Sequence, residues 1–340
     1  MKKILITGGA GFIAHHIIAH IIKNTDWEIV TLDRLDLSGN LNRLHEILDE
    51  FSVKDKQRLK IVFHDLKAEI NSQIKSEIGS PDIILHLAAA SHVDRSIIYP
   101  MEFVLDNVVG TVNLLDFARS LKNLEKFAYF STDEIFGNAP EGVSYKEYDR
   151  YNSTNPYSAS KASAEEFCVA YENTYKLPIV ITHTMNVFGE RQHPEKFIPM
   201  TIQRVRDSEK VFIHANKEKT KAGSRHYIHA QDVADGLMFI LGLKNYKHEG
   251  DFGNAKCPKF NLVGPEEINN LDLAQKIAEV QKRELIYELI DNHSSRPGHD
   301  LRYSLSPNLL KSLGWEPKIK LSKRIEEVVD WSLKNKRWLS

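Results

Sequence analysis

An apolar run followed at once by a glycine-rich turn constrains the fold of this chain more than any other feature. Residues 3–7 read Lys-Ile-Leu-Ile-Thr, and residues 8–14 read Gly-Gly-Ala-Gly-Phe-Ile-Ala before an Ile- and His-rich segment. A buried strand that enters a helix through such a turn lets the backbone approach a pyrophosphate, with N–H groups supplied by the helix N-terminus. Gly8 and Gly11 are therefore predicted to bind a dinucleotide.

A second predicted strand, residues 28–33, ends in Asp33. This acid follows the glycine turn by about 20 residues, the spacing at which a carboxylate hydrogen-bonds the adenosine ribose of NAD. The same carboxylate would repel the 2′-phosphate of NADP. NAD is therefore the predicted cofactor, although Arg34 is adjacent to the acid.

Strand and helix patterns then alternate along the first half of the chain. Strand patterns recur at 59–63, 81–88, 127–130 and 177–184, with helical patterns between them. This alternation predicts an α/β fold, a Rossmann-type doubly wound parallel sheet with a smaller, mixed α/β carboxyl-terminal substrate lobe. The expected NAD-binding domain is 1–184, which 225–243 rejoins, and the expected substrate lobe is 185–224 with 244–340.

Composition excludes several other classes of protein. The 340 residues carry a formal net charge of −1, so no strong field attracts nucleic acid or an anionic membrane. The two cysteines, Cys168 and Cys257, form neither a disulfide framework nor a metal-binding spacing, and no metal site is expected. Because the apolar run near Met1 is too short for a signal peptide and no run approaches a membrane span, a cytoplasmic protein is expected.

Two polar clusters about 25 residues apart are the candidate catalytic groups. Thr132, Asp133 and Glu134 follow a predicted buried strand and are expected at the carboxyl edge of the sheet, where doubly wound folds bind ligands. Tyr157 and Lys161 share one face of a predicted helix, and an ammonium beside a phenol favours the phenolate. This pair can take a proton from a hydroxyl while a hydride leaves the same carbon. The adjacent acid pair exceeds what an oxidation needs and indicates a second reaction on the same substrate.

Together these motifs resemble the extended short-chain dehydrogenase/reductase family and, within it, the nucleotide-sugar 4,6-dehydratases, with dTDP-glucose 4,6-dehydratases as the closest group. The resemblance covers nearly the whole chain. The glycine turn and the Tyr157–Lys161 pair are shared across the superfamily. Thr-Asp-Glu at 132–134 and Arg-Pro-Gly-His-Asp at 296–300 are more discriminating.

The resemblance implies an NAD-dependent hydro-lyase. Its expected substrate is a nucleoside-diphosphate hexose of the dTDP-glucose or UDP-glucose type, and its expected product is the 4-keto-6-deoxyhexose plus water. Tyr157 would be the base at the sugar 4-hydroxyl, helped by Thr132 and Lys161. Glu134 would then remove the C5 proton while a protonated Asp133 helps the C6 hydroxyl to leave.

The resemblance also implies the residues that bind cofactor and substrate. Expected cofactor contacts are Gly8, Gly11, Phe12, Ile13, Asp33, Arg34, Leu35, Asp36, Asp65, Leu66, Leu87, Ala88, Ala89, Asp106, Tyr157 and Lys161. Expected substrate contacts are Ser91, Thr132, Asn186, Lys196, Arg225, Asn261, Arg296 and His299. The two arginines, Arg225 and Arg296, suit a diphosphate, which a guanidinium can bind bidentately. A homodimer built from helices near 106–118 and 157–175 is a further implication.

Three alternative functions remain open at this point. A nucleotide-sugar 4-epimerase would use Tyr157, Lys161 and Thr132 but would leave Asp133 and Glu134 unexplained. A decarboxylase would need a group that binds a C6 carboxylate, and no distinct candidate is present. A non-catalytic NAD-sensing protein could dispense with both Tyr157 and Lys161. The sequence does not identify the nucleobase, the hexose epimer or the pathway.

Overall fold

Two units make up the chain, and each has its own core. The computed structural model describes residues 1–36, 38–244, 246, 248–249, 255–291 and 300–340. The first unit comprises Met1–Ile135, Asn155–His183 and Leu237–Phe260. The second comprises Phe136–Thr154, Thr184–Gly236 and Asn261–Ser340.

Strands and helices alternate through the first half of the chain. The strands are β1 (Lys3–Thr7), β2 (Glu28–Asp33), β3 (Leu59–Phe63), β4 (Ile83–His86), β5 (Lys126–Thr132), β6 (Ile179–Thr184), β7 (Val187–Phe188), β8 (Val211–Ala215), β9 (Ser224–His226), β10 (Ile228–His229), β11 (His248–Glu249), β12 (Ala255–Lys256), β13 (Lys259–Leu262), β14 (Glu267–Asn269) and β15 (Tyr287–Asp291). The α-helices are α1 (Phe12–Asn24), α2 (Leu41–Asp49), α3 (Val53–Lys56), α4 (Ser72–Ile78), α5 (Val93–Ile98), α6 (Pro100–Phe103), α7 (Gly110–Arg119), α8 (Pro156–Tyr175), α9 (Phe197–Arg206), α10 (Ala230–Gly242), α11 (Asn270–Val280), α12 (Asn308–Ser312) and α13 (Leu321–Lys334). A π-helix, Val104–Val109, joins α6 to α7.

The sheet of the first unit has the order β13-β6-β5-β4-β1-β2-β3. The pairs β1–β2, β1–β4, β2–β3 and β4–β5 are parallel. Ile4, Leu5 and Ile6 of β1 are fully buried, as the continuous apolar run predicts for a central parallel strand. The order reverses around β1, which places the carboxyl ends of β1 and β4 at a topological switch point. The predicted Rossmann-type fold is confirmed.

Apolar side chains from strands and helices form the core of the first unit. They include Leu5, Val30, Ile84, Phe127 and Ile181 from the sheet, together with Leu114, Phe117, Ala164 and Cys168 from α7 and α8. Burying each large aliphatic or aromatic side chain contributes about 1.5–3 kcal/mol. Cys168 is buried in this core, where it serves as a small apolar residue.

The second unit has a separate apolar core. Helices α9, α11 and α13 contribute Ile198, Ile202, Leu273, Ile277, Ile325 and Val329 to one cluster. A second cluster joins α9, β8 and α11 through Val205, Val211, Ile213 and Ala274. Strand β8 pairs in parallel with β15, and β9 pairs antiparallel with β14.

The boundaries of the two units differ from the expected domain boundaries at three segments, 136–154, 225–236 and 244–260. Residues 136–154 fall in the second unit, where Tyr145 N donates to Ser304 O at 2.9 Å and Ser306 N donates to Tyr145 O at 2.8 Å. Residues 225–236 also fall in the second unit, where Ile228 N donates to Asn186 O at 3.0 Å. The described residues of 244–260 fall in the first unit, where Ile181 N donates to Pro258 O at 2.9 Å. In each of these segments hydrogen bonds join residues far apart in sequence within one unit.

No helix in the described part of the chain is both long and apolar enough to cross a bilayer. The same residues contain no cluster of three or more His, Cys, Asp or Glu side chains that could hold a metal ion.

Candidate active site

The glycine turn after β1 packs closely against Thr31 of β2 and against Ala88, which follows β4. Gly8 has φ +72°, and a Cβ there would lie 3.0 Å from backbone atoms of Ala88 after β4. At Gly9 a Cβ would lie 1.6 Å from Thr31 Oγ1 of β2, so a side chain cannot be accommodated. A Cβ on Gly11 would lie 2.8 Å from Gly8 O. The turn therefore needs glycine at these positions, and Gly9 adds a steric requirement that the motif alone did not indicate.

A groove opens beside this turn at the carboxyl edge of the sheet. Its lining includes eleven of the predicted cofactor residues: Gly8, Gly11, Asp33, Arg34, Asp36, Asp65, Leu66, Leu87, Ala88, Ala89 and Asp106. Leu32, Ser38, Gly39, His64 and Ala90 also line it and were not predicted. Phe12, Ile13, Leu35, Tyr157 and Lys161 are not part of this lining. The close backbone approach and the acid after β2 fit the pyrophosphate and the ribose of a dinucleotide.

Asp33 joins the glycine turn to the end of β2. Its Oδ2 accepts a hydrogen bond from Ala10 N at 2.9 Å, and its Oδ1 accepts one from Leu35 N at 2.8 Å. Only 7% of Asp33 is exposed. These contacts fix the carboxylate at the groove, where each oxygen retains a further lone pair for a ribose hydroxyl.

Helix α8 begins with a capping box that positions Tyr157. Asn155 Oδ1 accepts from Ser158 N at 2.8 Å, and the next residue, Pro156, occupies the first helical turn. Tyr157 N donates to Ser96 Oγ at 3.1 Å, and the Tyr157 ring packs edge-on against Phe103 with 6.3 Å between centroids. The start of the helix and the tyrosine are therefore held by several independent contacts.

Lys161 lies one turn further along α8. Its Nζ donates to the carbonyl oxygen of Phe130 in β5 at 2.6 Å and lies 4.3 Å from the centroid of the Tyr129 ring. Burial lowers the pKa of Lys161 to about 8. The ammonium is thus held against the strand that ends in Thr132.

The pKa of Tyr157 is raised, although a neighbouring ammonium was expected to lower it and so favour the phenolate. Burial first, and then the charge of Glu134, raise the pKa of Tyr157 well above its ordinary value, whereas a hydrogen bond with Thr132 lowers it. The reason for the difference is that the Lys161 ammonium points to Phe130 O and the phenol is buried near carboxylates. Burial and the nearby carboxylates therefore favour the neutral phenol.

The Thr132–Asp133–Glu134 motif lies where β5 passes into a single 3-10 turn, Asp133–Phe136. Thr132 Oγ1 donates to Asp133 Oδ1 at 3.0 Å, and Glu134 N donates to Thr132 Oγ1 at 3.3 Å. Asn155 Nδ2 donates to Glu134 Oε2 at 3.4 Å. The residue that caps α8 therefore also contacts the acid motif, and the two predicted catalytic clusters meet in the first unit.

Asn107 is a second connector that the motifs did not reveal. It lies in the π-helix, a form that is frequent at functional sites. Its Oδ1 accepts from Ala90 N at 2.8 Å, and its Nδ2 donates to Ala90 O at 3.0 Å and to Ser160 Oγ at 2.9 Å. The side chain links the segment after β4 to α8 between Tyr157 and Lys161.

The predicted substrate residues have different environments. Ser91 and Asn186 are exposed, and the Lys196 side chain at the start of α9 is 40% exposed. Asn261 is 1% exposed, and its Nδ2 donates to Tyr145 O at 3.1 Å and Ser306 O at 3.2 Å, contacts typical of a structural residue. The predicted residues Arg296 and His299 lie outside the described residues.

Arg225 is held by backbone carbonyls of the second unit. Its guanidinium donates to Leu301 O at 2.6 Å and Asp300 O at 2.7 Å and lies 4.5 Å from the Tyr303 ring. The cation is thus fixed beside the segment that follows residue 299.

Comparison with known proteins gives consistent results. The family model described as GDP-mannose 4,6 dehydratase matches residues 5–328. The dTDP-D-glucose 4,6-dehydratase of Mus musculus is 34% identical, with 98% of this chain and 89% of that protein covered. The solved structure of DesIV, a dTDP-glucose 4,6-dehydratase from Streptomyces venezuelae with NAD and TYD bound, has a TM-score of 0.84 at 29% identity and covers 99% of this chain and 98% of its own.

An epimerase also shares the fold. The UDP-glucose 4-epimerase of Thermus thermophilus, solved with NAD, has a TM-score of 0.82 at 26% identity and covers 97% of this chain and 98% of its own. Fold alone therefore does not separate the two activities, whereas the match to the dehydratase model over residues 5–328 confirms the resemblance drawn from the motifs. The chain belongs to the GDP-mannose 4,6-dehydratase family.

Proposed function

We propose that this chain is an NAD-dependent nucleotide-sugar 4,6-dehydratase. Its substrate is a nucleoside-diphosphate hexose of the dTDP-glucose or UDP-glucose type, and its products are the 4-keto-6-deoxyhexose and water. The observation that carries the proposal is the contact between Asn155, which caps α8, and Glu134 after β5. This contact brings a pair suited to oxidation, Tyr157 and Lys161, next to a pair suited to elimination, Asp133 and Glu134.

The first step is removal of the proton from the sugar 4-hydroxyl. The Tyr157 phenol first loses its own proton to solvent. The resulting phenolate, which is stabilised by the hydrogen bond with Thr132 that lowers the pKa of the phenol, then accepts the hydroxyl proton. Lys161 supplies a positive charge one turn away on α8. Bound NAD would supply the hydride acceptor for oxidation at C4 and the hydride donor for reduction at C6, so the overall reaction would consume no cofactor.

Elimination of water follows once C4 is a ketone, because the carbonyl acidifies the C5 proton. Glu134 removes that proton, and Asp133 donates a proton to the departing C6 hydroxyl. Asp133 is 4% exposed, and its Oδ1 accepts a hydrogen bond from Thr132 Oγ1 at 3.0 Å, which holds the carboxyl group beside the end of β5. An epimerase needs no such acid–base pair, which is why the dehydratase is the favoured function.

We assign the groove beside Gly8 to NAD, with the ribose at Asp33. Ser91, Asn186, Lys196 and Arg225 are the proposed substrate contacts among the described residues. Arg225 carries a fixed guanidinium that can pair with a diphosphate. Asn261 acts indirectly, by holding the backbone at Tyr145 and Ser306. The cytoplasmic location remains a prediction.

The decisive experiment is product analysis with dTDP-, UDP-, GDP- and CDP-hexoses. A dehydratase produces a compound lighter by one water, which absorbs in alkali as a 4-ketosugar, without accumulation of NADH. Isomerisation at constant mass would instead establish the epimerase. Steady accumulation of NADH in step with product would establish a simple dehydrogenase. The nucleotide that gives the highest kcat/KM identifies the base.

We also propose a homodimer formed through α8 and the π-helix. Phe167 and Tyr175 on α8 are 42% and 44% exposed, and Val104 and Leu105 of the π-helix are 39% and 41% exposed. Exposed apolar side chains of this size on neighbouring helices are typical of subunit interfaces.

Light scattering after size-exclusion chromatography tests the dimer. Phe167→Glu should shift the protein toward the monomer. The matched control is Phe212→Glu, because Phe212 is 41% exposed but lies on β8 of the second unit. A monomeric wild-type protein, or equal dissociation by both variants, would contradict the proposal.

A further inference from the structure

Arg34, the residue after Asp33, is enclosed by carboxylates at the dinucleotide groove. Its NH1 and NH2 atoms donate to Asp106 Oδ1 and Oδ2 at 2.6 and 2.7 Å, a bidentate pair. Its Nε and NH2 atoms also donate to Asp36 Oδ2 at 3.0 and 2.6 Å. Asp65 Oδ2 lies 3.5 Å from NH1. All three guanidinium nitrogens are therefore engaged.

Asp106 is the most buried of the three carboxylates that contact Arg34 and the one that pairs with it bidentately. Its side chain is 10% exposed, compared with 40% for Asp36 and 39% for Asp65, so solvent screens its charge least. The bidentate geometry also fixes the plane of the guanidinium, which a single contact would not. Arg34 itself retains 27% exposure. The guanidinium is thus beside the groove but is oriented toward Asp106.

The turn after β2 supports the same orientation. Leu35 has φ +57°, in the left-handed region that a leucine rarely adopts. Asp33 Oδ1 stabilises this conformation by accepting from Leu35 N at 2.8 Å. The same turn therefore holds the Asp33 carboxylate at the groove and directs the Arg34 side chain toward Asp106.

An arginine near the acid after β2 is the group that accommodates the 2′-phosphate of NADP in other dinucleotide-binding folds. In this chain the Arg34 guanidinium already forms a bidentate pair with the Asp106 carboxylate, and a 2′-phosphate would need the same two N–H groups. We propose that Asp106 is a specificity-determining residue, which makes the groove selective for NAD by keeping Arg34 from a 2′-phosphate. The proposal rests on the NAD site proposed above.

Four carboxylates line the groove around one guanidinium: Asp33, Asp36, Asp65 and Asp106. A 2′-phosphate would therefore meet net negative charge as well as an engaged arginine. The repulsion between the carboxylates and a 2′-phosphate does not require Arg34, whereas the loss of a phosphate-binding guanidinium does. Removing any carboxylate weakens the repulsion, but only removing Asp106 releases the guanidinium from its bidentate partner.

Isothermal titration of nucleotide-free protein with NAD⁺, NADP⁺ and adenosine 2′,5′-bisphosphate separates the two effects. Asp106→Asn should strengthen NADP⁺ binding relative to NAD⁺ by about tenfold or more, the usual worth of a charged hydrogen-bonded pair. Asp36→Asn is the matched control, because it removes an equal charge that also contacts Arg34 and leaves the Asp106 pair intact. In Asp36→Asn the affinity for NADP⁺ relative to NAD⁺ should rise by no more than about threefold.

The double variant Asp106→Asn/Arg34→Met tests whether the gain depends on the arginine. The NADP⁺ to NAD⁺ ratio should return to within about twofold of the single variant Arg34→Met. The proposal is overturned if Asp106→Asn leaves the ratio unchanged while NAD⁺ still binds, or if the gain persists without Arg34. Failure of the wild-type protein to bind NAD⁺ at all would instead overturn the assignment of the cofactor.

Discussion

The Nζ of Lys161 donates a hydrogen bond of 2.6 Å to the carbonyl oxygen of Phe130. Phe130 lies two residues before Thr132 in β5, and Lys161 lies one turn after Tyr157 in α8. The contact therefore ties the strand that presents the acid motif to the helix that presents the tyrosine. It also explains why the ammonium is oriented toward β5.

The first prediction concerns pH. Because burial lowers the pKa of Lys161 to about 8, the ammonium is lost as the pH rises through that value. Dehydration should therefore decline above about pH 8. In Lys161→Arg the guanidinium stays protonated, so any residual activity should persist to higher pH. The measurement is the pH dependence of kcat in both proteins, with thermal melting to verify folding. An alkaline limb at the same pH in both would assign it to another group.

The second prediction concerns Tyr157. Tyr157→Phe keeps the ring that packs on Phe103 but removes the proton acceptor, so the oxidation rate should fall by about 10²–10⁴. The affinity for the nucleotide sugar, measured by calorimetry, should change little. Tyr171→Phe is the control on the same helix, since it deletes a hydroxyl that donates to Asp116 at 3.0 Å. Equal activity in the two variants would make Tyr157 a packing residue only.

The third prediction separates elimination from oxidation. Asp133→Asn and Glu134→Gln retain Tyr157 and Lys161, so both variants should still oxidise C4 and then stall. A single-turnover experiment should show NADH absorbance that rises and persists, together with a 4-ketosugar that keeps its C6 oxygen. Solvent deuterium exchange at C5 should be lost more severely in Glu134→Gln. Normal dehydration by both variants would leave the epimerase as the better assignment.

The fourth prediction concerns a buried ion pair that anchors α8. Glu165 is 0% exposed, accepts from Lys259 Nζ at 2.8 Å and lies 3.1 Å from His183 Nε2. Glu165→Gln leaves the buried cation without its counter-ion and should lower the free energy of unfolding by about 3–5 kcal/mol. Urea denaturation measures this loss in the free energy of unfolding. Glu326→Gln, which breaks the exposed pair with Lys323, should have little effect, and a similar loss in both would contradict the anchoring role.

The same carboxylate predicts acid sensitivity. Burial alone would raise the pKa of Glu165, but His183 and Lys259 hold it well below its ordinary value of 4.5. In the unfolded chain the group titrates near that ordinary value, so its contribution to stability is complete above it and is lost as the pH falls toward the lower folded pKa. Unfolding midpoints measured between pH 7 and pH 3 should fall less steeply in Glu165→Gln than in the wild type.

The sequence alone was sufficient for the fold class and for the local placement of the candidate catalytic motif. The run Ile4–Ile6, the glycines at 8 and 11 and Asp33 are local signals, because strand, turn and helix preferences act over a few residues. Thr132 to Glu134 could be assigned to a sheet edge because a polar motif directly follows a buried strand. Tyr157 and Lys161 could be paired because helical periodicity places residues four apart on one face.

Only the tertiary structure decided which distant residues pair. Arg34 and Asp106 are 72 positions apart, and Glu165 and Lys259 are 94 positions apart. Residues 136–154 pair with a segment beyond residue 300, which local patterns could not indicate. Asn261 was expected at the substrate but is buried against backbone carbonyls. Such contacts depend on how the strands and helices pack, and a side chain's partner is therefore set by the folded geometry rather than by its neighbours in sequence.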